Sequence, residues 1–270
     1  YKLASREMHP EDTIVEVGSA RFGAPFFTVI AGPCSVESES NVLQVAEYLM
    51  SRGVTLLRAG AFKPRTSPYS FQGMEQEGLA ILERAREKTG IRIVTEVMDT
   101  EQVDAVAASA DIIQIGTRNM QNFSLLKKVA SCNRPVLLKR GMSATLDEWL
   151  MAAEYLLAGG NKNVILCERG VRTFTDHTRN TLDLSVVPPA KENSHLPILI
   201  DPSHGTGRRN YVSAMARAGL AAGADGLMVE VHPDPSTALS DGAQTLDFNE
   251  FDRLLESLRS LAEPLGRNIG

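Results

Sequence analysis

The chain has 270 residues, 43 % of them hydrophobic, and a formal net charge of −5; that length suits one barrel-sized domain with a large core, and the acidic balance excludes a nucleic-acid footprint. No apolar run is long enough to span a bilayer, the opening YKLASREMHPED is too polar for a signal peptide, and three cysteines argue against a disulfide framework and for a reducing, cytoplasmic setting. The chain begins at Tyr1 and not at Met, so it reads as processed, truncated or incomplete at its front.

Residues 13–25 (TIVEVGSARFGAP) alternate and then turn, which predicts a short hairpin covering the bottom of a barrel. The first β-rich run, FFTVIAGPC (26–34), ends in Cys34. Behind it Ser38 is placed to cap a helix with Val42, Val45, Ala46, Leu49 and Met50 on one face, and Gly53 stops it. The second run, VTLLRAGAFK (54–63), carries Arg58 and Lys63. KPRTSPYSFQGM (63–74) comes next without periodicity, and loops of that length in a compact domain are usually functional. A helix over 75–90 ends in Gly90. Then come IRIVTEV (91–97) with Glu96, DIIQIGTR (111–118) with Arg118 and PVLLKRG (135–141) with Lys139. A helix over 145–160 leads to NVILCERG (163–170) with Arg169 and PILIDPSHG (197–205) with His204. A helix over 210–223 precedes the eighth run, GLMVEVH (226–232), with Glu230, and the last helix, 248–266, carries Phe248, Phe251, Leu254, Leu255, Leu258 and Leu261 on one stripe.

Strand and helix alternating eight times predict a (β/α)8 TIM barrel with a short N-terminal β-hairpin: an extension over 1–25 and a single catalytic barrel over 26–270. A doubly wound open sheet is the rival; eight units with a charged residue at nearly every strand end favour closure. In a closed parallel barrel the strand C-termini share one face, and that face carries the active site.

Strands one, seven and eight are then neighbours, so Cys34, His204, Glu230 and Asp241, the last in ALSDGAQ, can converge. A thiolate, an imidazole and two carboxylates suit a borderline divalent metal ion such as Mn²⁺, Fe²⁺, Co²⁺ or Zn²⁺, catalytic if one position stays open. Singly, Cys34 and Asp241 read as a small buried residue and a turn; together, at the active face, metal binding is the better reading. His232, on the same side of its strand as Glu230, is not excluded by spacing. Cys132 and Cys167 read as structural. Arg58, Lys63, Arg65, Arg118, Lys139 and Arg169 form a positive pocket within an acidic chain, suited to phosphates and carboxylates. A salt-bridged rim built on Glu96, Glu168 and Asp201 would account for two of the six, but not easily for Arg58 or Lys139, which end apolar runs. Glu96 should stay ionised near cations, either holding a water or neutralising a basic neighbour.

The segments GPCSVES, LLRAGAFKPRTSPYSFQG, VTEVMD, IGTRNMQN, LLKRGMSATLDEW, ILCERGVRTF, DPSHGTG and MVEVHPDPSTALSDGAQ resemble the 3-deoxy-D-arabino-heptulosonate 7-phosphate (DAHP) synthases of the shorter, type I-beta branch, over about residues 10 to 262. The resemblance implies a metal-dependent condensation of phosphoenolpyruvate with D-erythrose 4-phosphate, with release of phosphate, as the first step of the shikimate pathway. It implies metal ligation by Cys34, His204, Glu230 and Asp241, phosphoenolpyruvate binding by Arg58, Lys63, Arg118, Lys139 and Arg169, and aldose-phosphate binding by Arg65 and Thr66. Lys63, Glu96 and the ligand His204 would carry the chemistry, Lys63 as proton donor and Glu96 on the attacking water. A homodimer or homotetramer is implied, with the aldose-phosphate site completed by loops near a subunit interface.

The nearest alternative is the sister 3-deoxy-D-manno-octulosonate 8-phosphate synthase, which takes arabinose 5-phosphate; its loop resembles K-A-N-R-[ST]-S, whereas KPRTS stands here. A Schiff-base aldolase using Lys139 and a non-catalytic phosphosugar sensor are further alternatives, the sensor disfavoured by the intact ligand set. Residues 1–25 hold no periodic set of domain size, so the chain is expected to behave as a catalytic core unresponsive to phenylalanine, tyrosine or prephenate.

Overall fold

Side chains of a β-strand alternate between its two faces, and here that alternation builds both the core and the site. The structure, a computed structural model, describes residues 1–269; the last residue of the 26–270 unit lies outside it. A two-stranded antiparallel hairpin, β1 (Val15–Val17) and β2 (Ala20–Phe22), precedes the barrel strands β3 (Phe26–Gly32), β4 (Leu56–Arg58), β5 (Arg92–Val97), β6 (Ile112–Ile115), β7 (Val136–Lys139), β8 (Val164–Glu168), β9 (Ile198–Ile200) and β10 (Gly226–Glu230). Each pairs in parallel with the next, and β10 closes on β3 with Gly226 opposite Thr28 and Glu230 opposite Gly32. The closed barrel predicted from the sequence is therefore present, and the open sheet is not.

Helices α1 (Glu39–Ser51), α2 (Glu75–Thr89), α3 (Val103–Ser109), α4 (Phe123–Ala130), α5 (Leu146–Ala158), α6 (Val187–Asn193), α7 (Pro202–Thr206), α8 (Arg209–Ala221) and α9 (Phe248–Ala262) fill the connections. Ser38 caps α1 by accepting from the Asn41 N–H, as its position suggested. The stripe of α9 buries Phe251, Leu254, Leu255 and Leu258, and Asp247 with Glu250 closes a capping box at its start. The helix stops at Ala262 and gives way to a 3-10 turn over Glu263–Leu265, shorter than the sequence pattern extended it.

Two apolar layers result. One lies between strands and helices. The other fills the barrel with one residue from each strand: Ile30, Leu56, Val94, Ile112, Leu137, Ile165, Leu199 and Met228. Val15, Val17, Ala20 and Phe22 of the hairpin join this inner cluster, so the hairpin plugs the barrel at its N-terminal end and leaves the C-terminal end as the face for chemistry. A final strand, β11 (Asn268–Ile269), pairs with the start of β3, and Glu154 of α5 accepts the N–H groups of Lys2, Leu3 and Ala4 at 2.9, 2.8 and 2.9 Å. Neither contact is foreshadowed by the sequence pattern.

Candidate active site

Two residues beyond each inward apolar residue the strand points inward again, now near the open face. Leu56 is followed by Arg58, Val94 by Glu96, Ile112 by Gln114, Leu137 by Lys139, Leu199 by Asp201 and Met228 by Glu230. Ile165 is followed by Cys167 and then Arg169. Of these, Arg58, Glu96, Gln114, Lys139 and Arg169 line a cavity of about 440 Å³, together with Lys63, Arg65, Thr66, Arg118, His204 and Asp241. Gln114, Met142, Arg172, Arg179 and Asn180 also line it and were not singled out from the sequence. Gln114 carried a usable signal, its place two residues after Ile112; Arg172, Arg179 and Asn180 lie on an irregular loop with none.

Cys34, His204, Glu230 and Asp241 converge at one edge, with a ligand atom of each within 4.8 Å of the others. Cys34 Sγ lies 3.2 Å from Asp241 Oδ2, and His204 Nε2 lies 3.1 Å from Glu230 Oε1. His204 sits on the short helix α7, where Asp201 caps its N–H at 2.9 Å and holds Nδ1 at 2.7 Å. That leaves Nε2 facing the cluster, the usual outer support of a metal-binding imidazole. Burial keeps the imidazole below its ordinary pKa, hence neutral and able to ligate. Burial also pushes on the Asp241 carboxyl, but His204, the Cys34 hydrogen bond, Arg179 and Lys63 outweigh it and hold the carboxyl at about 2. One thiol, one neutral imidazole and two carboxylates within reach of a single point fit a borderline divalent ion. His232 is turned away, with Nε2 3.1 Å from Glu37 Oε2 and outside the cluster.

The cations divide into two groups. Arg58 lies 3.4 Å from Glu230 Oε1, and Lys139 lies 2.5 Å from Asp201 Oδ2. A salt-bridged arrangement therefore does account for these two, contrary to the sequence reading. The reason is geometric: β4 and β10 flank β3, and β7 and β9 flank β8, and inward side chains of alternate strands share a layer in such barrels. Glu168, expected among their partners, instead binds Arg140 at 3.1 Å. Lys63, Arg65, Arg118 and Arg169 form no ion pair among the described residues. Lys63 Nζ donates to Cys34 O at 2.8 Å and to its Sγ at 3.1 Å, and Arg118 reaches Thr66 Oγ1 at 3.4 Å. Among the described residues, Arg58 Nε, Arg65 Nη2 and Arg169 Nη1 are buried without a hydrogen-bond partner. Buried donors cost free energy unless satisfied, and these three border the same cavity, so an anion bound there would satisfy them.

Glu96 is buried and, among the described residues, receives only Gln114 Nε2, at 3.4 Å. Burial raises its pKa despite the opposing pull of Lys63, Lys139, Arg58 and Arg118, so desolvation, and not the cations, sets its direction. Gly116 leaves its space: a Cβ there would stand 2.0 Å from Glu96 Oε1. Cys132 is half-buried in the turn two residues beyond α4, and Cys167 lies in the barrel interior with its thiol pushed up to about 12 by burial.

A closed barrel with a four-residue metal-type cluster beside a pocket of unpaired arginines defines an enzyme that acts on small phosphorylated anions. Residues 18–266 match the family described as the DAHP synthetase I family, and the chain belongs to that family. It is 54 % identical over 269 residues to a phospho-2-dehydro-3-deoxyheptonate aldolase of Thermotoga maritima, spanning 100 % of this chain and 80 % of that protein. A 2-dehydro-3-deoxyphosphooctonate aldolase of Magnetococcus marinus is 33 % identical over 92 % of each chain. Among solved structures, the DAHP synthase of Thermotoga maritima superposes with a TM-score of 0.98 at 53 % identity, covering 100 % of this chain and 79 % of that one. A truncated form of 3-deoxy-D-arabino-heptulosonate 7-phosphate synthase from Thermotoga maritima superposes with 0.93 at 49 % identity, covering 99 % of this chain and 98 % of that one.

Proposed function

We propose that this chain condenses phosphoenolpyruvate with D-erythrose 4-phosphate and water to DAHP and phosphate. The observation that carries the reading is the set of three buried, unpartnered guanidinium donors facing a cavity beside the Cys34–His204–Glu230–Asp241 cluster. The higher identity to the heptonate than to the octonate aldolase, 54 % against 33 %, favours the four-carbon aldose over arabinose 5-phosphate.

Arg58, Arg118, Lys139 and Arg169 hold the carboxylate and phosphate of phosphoenolpyruvate, and Arg65 with Thr66 holds the phosphate of the aldose. A divalent metal ion, Mn²⁺ in our reading, supplies Lewis acidity toward the aldehyde oxygen when bound. As the enol carbon attacks the aldehyde carbon, Lys63 hands a proton to the developing alkoxide; its Nζ, 3.1 Å from Cys34 Sγ, stands at the edge of the cluster. Glu96, in its ionised form, takes the proton from the water that adds to C2. The hemiketal phosphate then loses phosphate, while Arg118, Lys139 and Arg169 balance the departing charge. His204 acts as a ligand oriented by Asp201. A Schiff base on Lys139 is disfavoured by its ion pair with Asp201, which engages the amine.

We read residues 26–270 as the catalytic unit and 1–25 as an extension, and the protein as a cytoplasmic homodimer or homotetramer, the assembly on the family resemblance alone. No helix of the described residues is long and apolar enough to cross a membrane. The test is product formation with erythrose 4-phosphate against arabinose 5-phosphate, with borohydride trapping as a control. Turnover restricted to arabinose 5-phosphate, or trapping on Lys139, would contradict the proposal.

A further inference from the structure

We propose that Glu37 and Ser240 are positioning residues that fasten the loop bearing Asp241 to the loop bearing Cys34, and so set how tightly the cluster holds a divalent ion. The inference rests on the reading of that cluster as a metal site.

Asp241 lies in the long connection between β10 and α9, eleven residues along the chain from the end of β10. Its backbone is left-handed, at φ 51° and ψ 29°, a conformation costly for a residue with a side chain and kept only where the surroundings enforce it. Side-chain contacts running antiparallel between two loops enforce it here. Beside the Cys34–Asp241 pair, the Ser35 and Ser240 hydroxyls meet at 2.9 Å, with both residues buried. One step further, Glu37 Oε1 accepts the Leu239 N–H at 2.7 Å. Glu37 Oε2 lies 3.1 Å from His232 Nε2. The other ring nitrogen of His232 accepts the Asp234 N–H at 3.0 Å. Glu37 thus grips the Asp241 loop at its first turn and again just before the ligand. Neither Glu37 nor Ser240 contacts a ligand atom of the cluster, so each acts through the placement of Asp241. With these contacts made, the loop is already ordered when a metal arrives; without them, that ordering is lost from the binding free energy.

The probe is Co²⁺, titrated into the purified chain and followed by the thiolate-to-cobalt absorption that Cys34 confers and that Cys34→Ser abolishes. Glu37→Ala and Ser240→Ala should each weaken Co²⁺ binding by about 10-fold or more, as outer-shell changes do, while the thiolate band persists at saturation. Glu37→Gln, which keeps an acceptor for the Leu239 N–H, should recover most of the affinity. In an Asp241→Ala background, Glu37→Ala should cost nothing further, because the residue it places is gone. Unchanged affinity in Glu37→Ala and Ser240→Ala, or an equal loss with and without Asp241, would overturn the positioning role while leaving the metal site standing. A parent chain that shows no Cys34-dependent Co²⁺ binding would overturn both.

Discussion

Lys139 and Arg169 carry the same formal charge into the same cavity, yet they should behave differently when removed. Lys139 neutralises the buried Asp201, whereas Arg169 has a buried donor with no partner. Lys139→Ala takes the cation away from a buried ion pair and should cost about 3–5 kcal/mol of stability, whereas Arg169→Ala should leave stability nearly unchanged in urea titrations. In kinetics, Arg169→Ala should raise the KM for phosphoenolpyruvate and Arg65→Ala that for erythrose 4-phosphate, each by about 1.5–3 kcal/mol in kcat/KM; equal effects on both substrates would contradict the division of the pocket. Glu96 gives a pH test. Burial raises its pKa above that of a free glutamate, so the ionised base is lost as pH falls through that raised value, and the same shift makes its ionisation a cost to folding as pH rises. The acid limb of kcat/KM should therefore lie above the ordinary glutamate range, and Glu96→Gln should slow turnover and remove that limb. Persistence of the limb in Glu96→Gln would remove Glu96 from the base role.

Elements explain what could and could not be read from the chain. The eight strands were legible because buried parallel strands are short apolar runs bounded by Gly, Pro or polar turns, and the convergence of Cys34, His204, Glu230 and Asp241 was legible because three of them follow or close strands one, seven and eight. The ion pairs of Arg58 and Lys139 were not, because they join alternate strands distant in sequence, 172 and 62 residues apart. Residues 1–12 and β11 also escaped: backbone N–H groups held by Glu154 and a two-residue strand leave no periodic pattern. The hairpin was legible from its alternation, and its role in the barrel floor is testable. Phe22 is fully buried among the inner-layer residues, so Phe22→Ala should destabilise the fold by about 3–5 kcal/mol in denaturant unfolding. A loss under about 1 kcal/mol would mean that the floor does not depend on it.

At the scale of the molecule, a net charge of −5 surrounds a cavity lined by six arginines and two lysines. Low-dielectric walls focus such a field on incoming anions, and salt screens it, so kcat/KM for both substrates should fall as ionic strength rises. The central claim is that one metal-type cluster and one anion pocket work together on phosphoenolpyruvate and erythrose 4-phosphate. It is tested most directly by phosphate release with both substrates present, before chelation, after chelation, and after Mn²⁺ is returned, in the parent chain and in Cys34→Ser. The expected result is turnover that needs both substrates, is abolished by the chelator, returns with Mn²⁺, and is lost in a folded Cys34→Ser. Full, chelator-resistant phosphate release by Cys34→Ser would contradict it.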